Sequence, residues 1–289
     1  MSIKKFANWL PPTAKCQLPI GFLLDLPVSR RYIFFKYKKK LRELQLCFTL
    51  RLSCVINYIC FKMNIIEIAI QLFVILFAIT VHEASHGWAA YKLGDPTAHI
   101  MGRVTLNPIA HIDPVGTILL PVILVIMGAP PFGWAKPVPV NPLNLKNPRR
   151  DNLLVSAAGP LSNLVVAISA MLTLLILKSL SPHVNYFLNT FLSGRGGLPK
   201  GFYPLEGLAM LLFYAIFLNV LLAVFNLIPI PPLDGSGILM GILPEQAARK
   251  YDRIRPYGFL IILGLLYLGI LNLIFRPIYI IIILILRIF

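Results

Sequence analysis

Apolar residues fall in long blocks along this chain, with most polar residues gathered between them. The blocks run Ile65 to Leu93, Val115 to Gly128, Leu153 to Leu177, Leu205 to Ile228 and Tyr257 to Phe275; a short tail, Ile278 to Leu286, follows Arg276-Pro277. A helix needs about 20 residues to cross the hydrocarbon core of a bilayer, so the first, third, fourth and fifth blocks qualify as spans. The second block and the tail do not. Val115 to Gly128 also carries Pro121 and closes on Gly128-Ala129-Pro130-Pro131, the pattern of a re-entrant or broken helix shielded by protein. Phe132 to Asn141 then alternates apolar residues with prolines, which reads either as an edge strand or as an interfacial loop. Together these elements predict an all-α polytopic membrane protein. It is a helical bundle of about four to six membrane segments, with one re-entrant or broken segment and a candidate short membrane-associated β element.

Composition agrees: 57% of residues are hydrophobic and 13% charged, against about 25% charged in an ordinary soluble domain. The net charge of +16 is uneven, because residues 1–62 hold twelve Lys/Arg against Asp25 and Glu43. No folded basic module with interleaved aromatics accompanies that charge, so a nucleic-acid partner is not expected. Positive-inside orientation or attraction to anionic lipid in the bilayer accounts for it. All four cysteines, Cys16, Cys47, Cys54 and Cys60, lie in the same stretch, which removes thiolates from any chemistry further on. The organisation expected is a basic N-terminal extension, 1–62, and a single membrane domain, 63–289. The extension is either an upstream misreading before the fresh start at Met63, or an extra segment at Leu44 to Phe61 with Arg51 in its middle.

Near the end of the first block stands His82-Glu83-Ala84-Ser85-His86. Residues four apart share one helix face, so both imidazoles can reach one Zn²⁺ while Glu83, about 100° round, stays free as a base. Ionisable side chains in hydrocarbon cost roughly 2.5 to 3.5 kcal/mol each on insertion scales, so three together are poor packing residues. Metal chemistry inside a membrane explains them. A third ligand of the metzincin kind would fall on Lys92, and the first downstream Glu, Glu206, opens a later span. Asp95, His99, His111, Asp113, Asp151, His183, Asp234, Glu245 and Asp252 remain. Among these Asp234 has the most unusual setting: Asn226-Leu227-Ile228-Pro229-Ile230-Pro231-Pro232-Leu233-Asp234-Gly235-Ser236-Gly237 ends an apolar helix with prolines and then offers an acid and glycines.

The chain resembles the site-2 proteases, the M50 group of intramembrane zinc metallopeptidases, in their compact branch without PDZ or CBS domains. His82-Glu83-x-x-His86 matches the first motif, Asn226-x-x-Pro229-x-x-x-x-Asp234-Gly235 the second, and Ala158-Gly159-Pro160-Leu161-Ser162-Asn163 the small-residue segment of the core helix between them. Ser236 departs from the commonest Asp-Gly-Gly. Gly102 to Pro114 is similar to a loop of the compact branch, in which His111 and Asp113 serve either a supporting network or only the surface. By resemblance, His82, His86 and Asp234 are the ligands of one Zn²⁺ and Glu83 is the general base of peptide hydrolysis. Asn226 and Asn163 are candidate substrate-binding residues, and Asn219 is a further polar candidate. The substrate would be a membrane protein or peptide.

Topology constrains the reading further, because His82 and Asp234 must end at one depth. If Val115 to Gly128 does not cross, they meet, and Lys136, Lys146, Arg149, Arg150, Arg249, Lys250, Arg253 and Arg255 share one face. By the positive-inside rule that face is cytosolic, which predicts a multi-pass protein of the cell membrane with its site towards the cytosol. Two other classes remain: an intramembrane metal-ion transporter, and a non-catalytic membrane chaperone of the same ancestry.

Overall fold

The computed structural model describes residues 65–126, 133–193 and 203–289. The expectations for residues 1–62 lie outside them. Ten α-helices occur among the described residues: α1 (Ile65–Lys92), α2 (Thr97–Ile100), α3 (Leu120–Ile126), α4 (Pro148–Leu180), α5 (Pro182–Leu192), α6 (Pro204–Asn226), α7 (Asp234–Ile242), α8 (Glu245–Asp252), α9 (Gly258–Tyr267) and α10 (Leu271–Ile288). Four of them, α1, α4, α6 and α10, are long and apolar enough to cross a membrane.

The bundle is organised by one stripe on each helix. On α1 the buried residues Val74, Ala78, His82, His86 and Ala90 recur every fourth position; on α4 the stripe is Gly159, Asn163, Ala167, Ala170, Leu174 and Lys178. Four-residue spacing keeps side chains on one face. The small residues in both stripes let backbones approach, which is how helices associate where lipid is as apolar as leucine. Outward positions such as Phe73, Leu161, Val165, Ile168 and Leu172 stay exposed, as a lipid-facing surface requires.

Contacts fix the directions. Tyr214 of α6 donates to Glu67 near the start of α1, and Asn219 of α6 pairs with Asn163 of α4, which also bonds Ala78 of α1. Further along α1, His86 meets Val155, which precedes Asn163 on α4. So α1 and α6 run parallel and α4 antiparallel to both, and the chain between α1 and α4 leaves and returns at one end of the bundle. Within it, Pro114–Leu119 forms a π-helical turn, capped by Asp113 on the N–H groups of Val115 and Gly116, that runs into α3. The described part of this segment, Pro114 to Ile126, is shorter than the roughly 20 residues a span needs.

Two expectations need correction. Tyr257 to Phe275 is not one span, because α9 stops at Tyr267. Gly269 takes φ +71°, and the N–H groups of Gly269 and Ile270 turn back to the carbonyls of Leu266 and Leu265, the glycine-dependent helix ending that few other residues adopt without strain. The chain restarts as α10, which continues through Pro277 and takes in the tail that sequence set aside. No β element forms among the described residues. Instead, Gly133 to Asn141 is irregular backbone that leans inward through every second N–H: Trp134 to Gly116 O, Lys136 to His111 O and Val138 to Glu83 Oε2. Of the alternate positions 135, 137 and 139, the last two are prolines with no N–H to offer, so no ladder can propagate on the other side.

Candidate metal centre and active site

α1 brings His82 and His86 to the face that meets α4, and the prolines after α6 turn the chain so that Asp234 opens α7 against them. His82 Nε2 lies 3.0 Å from Asp234 Oδ2, His86 Nε2 lies 3.3 Å from Asp234 Oδ1, and the two Nε2 atoms are 3.2 Å apart. Both histidines are buried and Asp234 is half-buried.

The donor set fits a cation. His82 Nδ1 is 2.6 Å from Asn163 Oδ1 and His86 Nδ1 is 2.7 Å from the Val155 carbonyl. Both partners are acceptors, so each ring carries its proton on Nδ1 and presents the Nε2 lone pair inward. With both rings neutral, two lone pairs and a carboxylate face each other, and buried Asp234 Oδ2 has no hydrogen-bond partner. A buried carboxylate oxygen without a donor is costly unless a metal takes that place. Two imidazoles and one carboxylate also match the ligand set of catalytic zinc sites, which keep a fourth position open.

Glu83 stands outside the cluster. Its Oε2 accepts the Val138 N–H at 3.1 Å, which ties this second acid to the irregular 133–141 segment. Gly159 lets α4 pass the histidines: a Cβ there would lie 2.7 Å from His82 Nε2 and closer still to His86 Nε2. Ser236, the departure from Asp-Gly-Gly, is buried and donates to the Leu233 carbonyl at 2.7 Å, closing the turn that presents Asp234. At the far end of α7, Arg149 donates to the carbonyls of Gly241, Ile242 and Leu243.

Several of the other sequence candidates have other partners. Asp151 caps α4 through the Asn147 N–H. Asp252 pairs with Arg255 and Glu245 with Arg249. His99 stacks on Tyr91, and buried His111 bonds the Thr105 carbonyl. Asn226 donates to Leu222 O, one turn back on α6, at 3.0 Å. Asn163 is fully buried behind His82, with both N–H groups directed to Ala78 O and Asn219 Oδ1. That leaves it no donor for a substrate. Sequence reasoning missed the links from Val155 O to His86 and from Val138 N–H to Glu83, since main-chain groups leave no trace in residue type.

Asp95, past the end of α1, organises the surrounding loop. It accepts from Thr97 N at 3.1 Å, Asn141 N at 2.7 Å and Asn144 Nδ2 at 2.9 Å, and from the Thr97 hydroxyl. Burial pushes its pKa up, but these donors outweigh it and hold the carboxyl below its ordinary value. A depressed folded pKa stabilises the loop above the unfolded value and loses that stabilisation as pH falls through the folded one. We expect Asp95→Ala to leave several donors unsatisfied, at about 1–3 kcal/mol each where they stay buried, and to speed tryptic cutting after Lys146. Acidification below about pH 4 should weaken the same loop in the unaltered protein, read by an acid-active protease. Unchanged cleavage of Asp95→Ala would show that the loop is held elsewhere.

A membrane-embedded metalloprotease is the class that this bundle and this site define. The chain belongs to peptidase family M50, whose profile matches residues 70–269. It is 38% identical over 193 residues to YwhC of Bacillus subtilis, covering 66% of this chain and 77% of that protein. It is 30% identical over 204 residues to Rip2 of Mycolicibacterium smegmatis, covering 68% of this chain and 66% of that protein. Both names assign those proteins provisionally to the zinc metalloproteases. A comparison with solved structures finds no match.

Proposed function

We infer that this protein hydrolyses peptide bonds of membrane-embedded or membrane-proximal proteins. His82, His86 and Asp234 hold one Zn²⁺ and Glu83 is the general base. The observation that carries this reading is the convergence of His82 Nε2, His86 Nε2 and the two Asp234 carboxylate oxygens, with a second acid one residue from His82 held just outside. Bound zinc supplies a Lewis acid that activates water and polarises a carbonyl. Glu83 takes the proton of the attacking water and passes it to the leaving amine. Val138 N–H keeps that carboxylate aimed before substrate arrives, and Asn226 remains the residue offered to the substrate backbone. A helical substrate hides its carbonyls in its own hydrogen bonds, so it must unwind to react. Pro137 and Pro139 leave the 133–141 segment able to accept, but poorly able to donate, along its outer side.

Glu83→Gln tests the chemistry directly. Proton transfer by a positioned base is worth typically 10² to 10⁴ in rate, so cleavage of a membrane-anchored reporter should fall by about that factor while zinc per chain stays as in the unaltered protein. Full activity of the variant would remove Glu83 from the reaction. Zinc uptake into vesicles without any cleavage would favour the transporter reading instead.

The protease domain proposed is 63–289, with residues 1–62 dispensable for the chemistry. Its orientation puts the end carrying Lys146, Arg149, Arg150, Arg249 and Lys250 in the cytosol of a cell membrane, with the active site in that half. With native cysteines removed, a cysteine at Ser193 should react with an impermeant reagent added outside intact cells, and one at Lys250 only after permeabilisation. The opposite pattern would invert the topology.

A further inference from the structure

Two fully buried amides, Asn163 on α4 and Asn219 on α6, sit in the middle of the bundle, and the hydrolysis described above uses neither. They form a single chain of hydrogen bonds. Asn219 Nδ2 donates to the Ala215 carbonyl at 2.8 Å, which turns its oxygen towards Asn163. Asn163 Nδ2 donates to that oxygen at 2.7 Å and to the Ala78 carbonyl at 3.2 Å. Its own oxygen is thereby directed at His82 Nδ1, 2.6 Å away. Each link ends on a group that can only accept, so the amide orientations follow from the network. So does the His82 tautomer: the proton is on Nδ1 and the lone pair on Nε2, the atom facing Asp234.

We propose that Asn163 is a positioning residue for His82, set in turn by Asn219, so that α4 and α6 together fix the tautomer and tilt of a metal ligand carried by α1. This rests on the zinc site of the preceding section. A ligand histidine gains basicity and a fixed ring plane from an acceptor on its second nitrogen. His86 obtains its acceptor from a main-chain carbonyl, Val155 O. His82, one turn deeper, instead takes its acceptor from a side chain. An amide serves there better than a carboxylate because it accepts a hydrogen bond without bringing another charge into the hydrocarbon. It also leaves the zinc site with the net +1 that one carboxylate gives. Asn219 Oδ1, with the Ala78 carbonyl beside it, fixes which end of the Asn163 amide faces His82.

The test is zinc affinity, measured on purified full-length protein stripped of metal and refilled against a competing chelator, with the visible spectrum of the cobalt-substituted protein as a second readout. Asn163→Leu keeps the bulk and removes the acceptor. It should lose about 10–100-fold in zinc affinity and shift the cobalt bands. Asn163→Asp, which still offers an oxygen to His82, should recover much of that loss, and Asn219→Leu should give a smaller loss in the same direction. Thr80→Val is the control: its buried hydroxyl bonds only the Leu76 carbonyl on its own helix, and it should bind zinc like the unaltered protein. If Asn163→Leu does not fold, the comparison of Asn219→Leu with Thr80→Val decides. Unchanged affinity and cobalt bands in the asparagine variants, with an unaltered protein that binds zinc, overturn the positioning role alone. An unaltered protein that binds no zinc overturns the metal site itself.

Discussion

Asp234→Ala is expected to lose its zinc and, with it, nearly all peptide hydrolysis. Among the described residues the carboxylate is the only negative charge directed at the paired imidazoles: its two oxygens lie 3.0 and 3.3 Å from the two Nε2 atoms. Without it, two neutral imidazoles would have to hold a doubly charged cation in a largely buried site, and the desolvation cost of that charge would not be offset. Asp234→Asn separates charge from shape, since the amide fits the same turn but supplies no anion; it should also bind zinc far more weakly. Metal content per chain on purified protein is the measurement. Undiminished zinc in both variants would take Asp234 out of the ligand set. The sequence rivals for its place, Asp95, Asp151 and His111, are already engaged by the loop donors, the α4 N-terminus and the Thr105 carbonyl. The turn itself should survive either change, because Ser236 and Leu233 close it without the carboxylate.

How far the sequence reaches depends on the kind of signal. α1, α4 and α6 were legible because each is a long apolar run with a polar or proline stop, and hydrocarbon leaves an extended backbone few alternatives to a helix. The histidine pair was legible because four-residue spacing is itself geometry. The last span was misplaced because a hydropathy reading sees a proline, Pro277, as an end and a glycine in an apolar run, Gly269, as nothing. The backbone does the reverse: Gly269 adopts positive φ and ends α9, while α10 continues through Pro277. The alternation of residues 133–141 did mark backbone with a two-residue rhythm, seen in the inward N–H groups of Trp134, Lys136 and Val138. It did not mark a strand, since a strand needs a partner and the prolines remove one edge. Asn163 illustrates the limit of residue type. A polar side chain in an apolar helix announces that something is bonded there, but whether it faces a substrate or the back of a histidine is decided by helix rotation across three helices.

Gly159→Ala is the change whose expected effect the sequence alone would put with the wrong sign. In an exposed helix interior, Ala is favoured over Gly by about 1 kcal/mol, so the substitution should strengthen α4. Here the added methyl would sit 2.7 Å from both Cε1 and Nε2 of His82 and nearer still to His86 Nε2. Neither ring is free to swing aside, because Asn163 holds one Nδ1 and the Val155 carbonyl the other. The strain must fall on the metal geometry or on the spacing of α1 and α4. A displacement of reacting groups on the order of 1 Å costs about 10²-fold in rate, and we expect at least that loss of cleavage, with weakened zinc binding. The same contacts exist without metal, so the metal-free protein should lose thermal stability as well, while its helix content stays level. Gly207→Ala and Gly264→Ala supply the contrast, since a Cβ at either position meets nothing within 4 Å; both should be neutral or slightly stabilising. Gly159→Ala with undiminished zinc affinity and cleavage would mean that α4 does not press on the histidines, and the site would have to be looser than this packing allows.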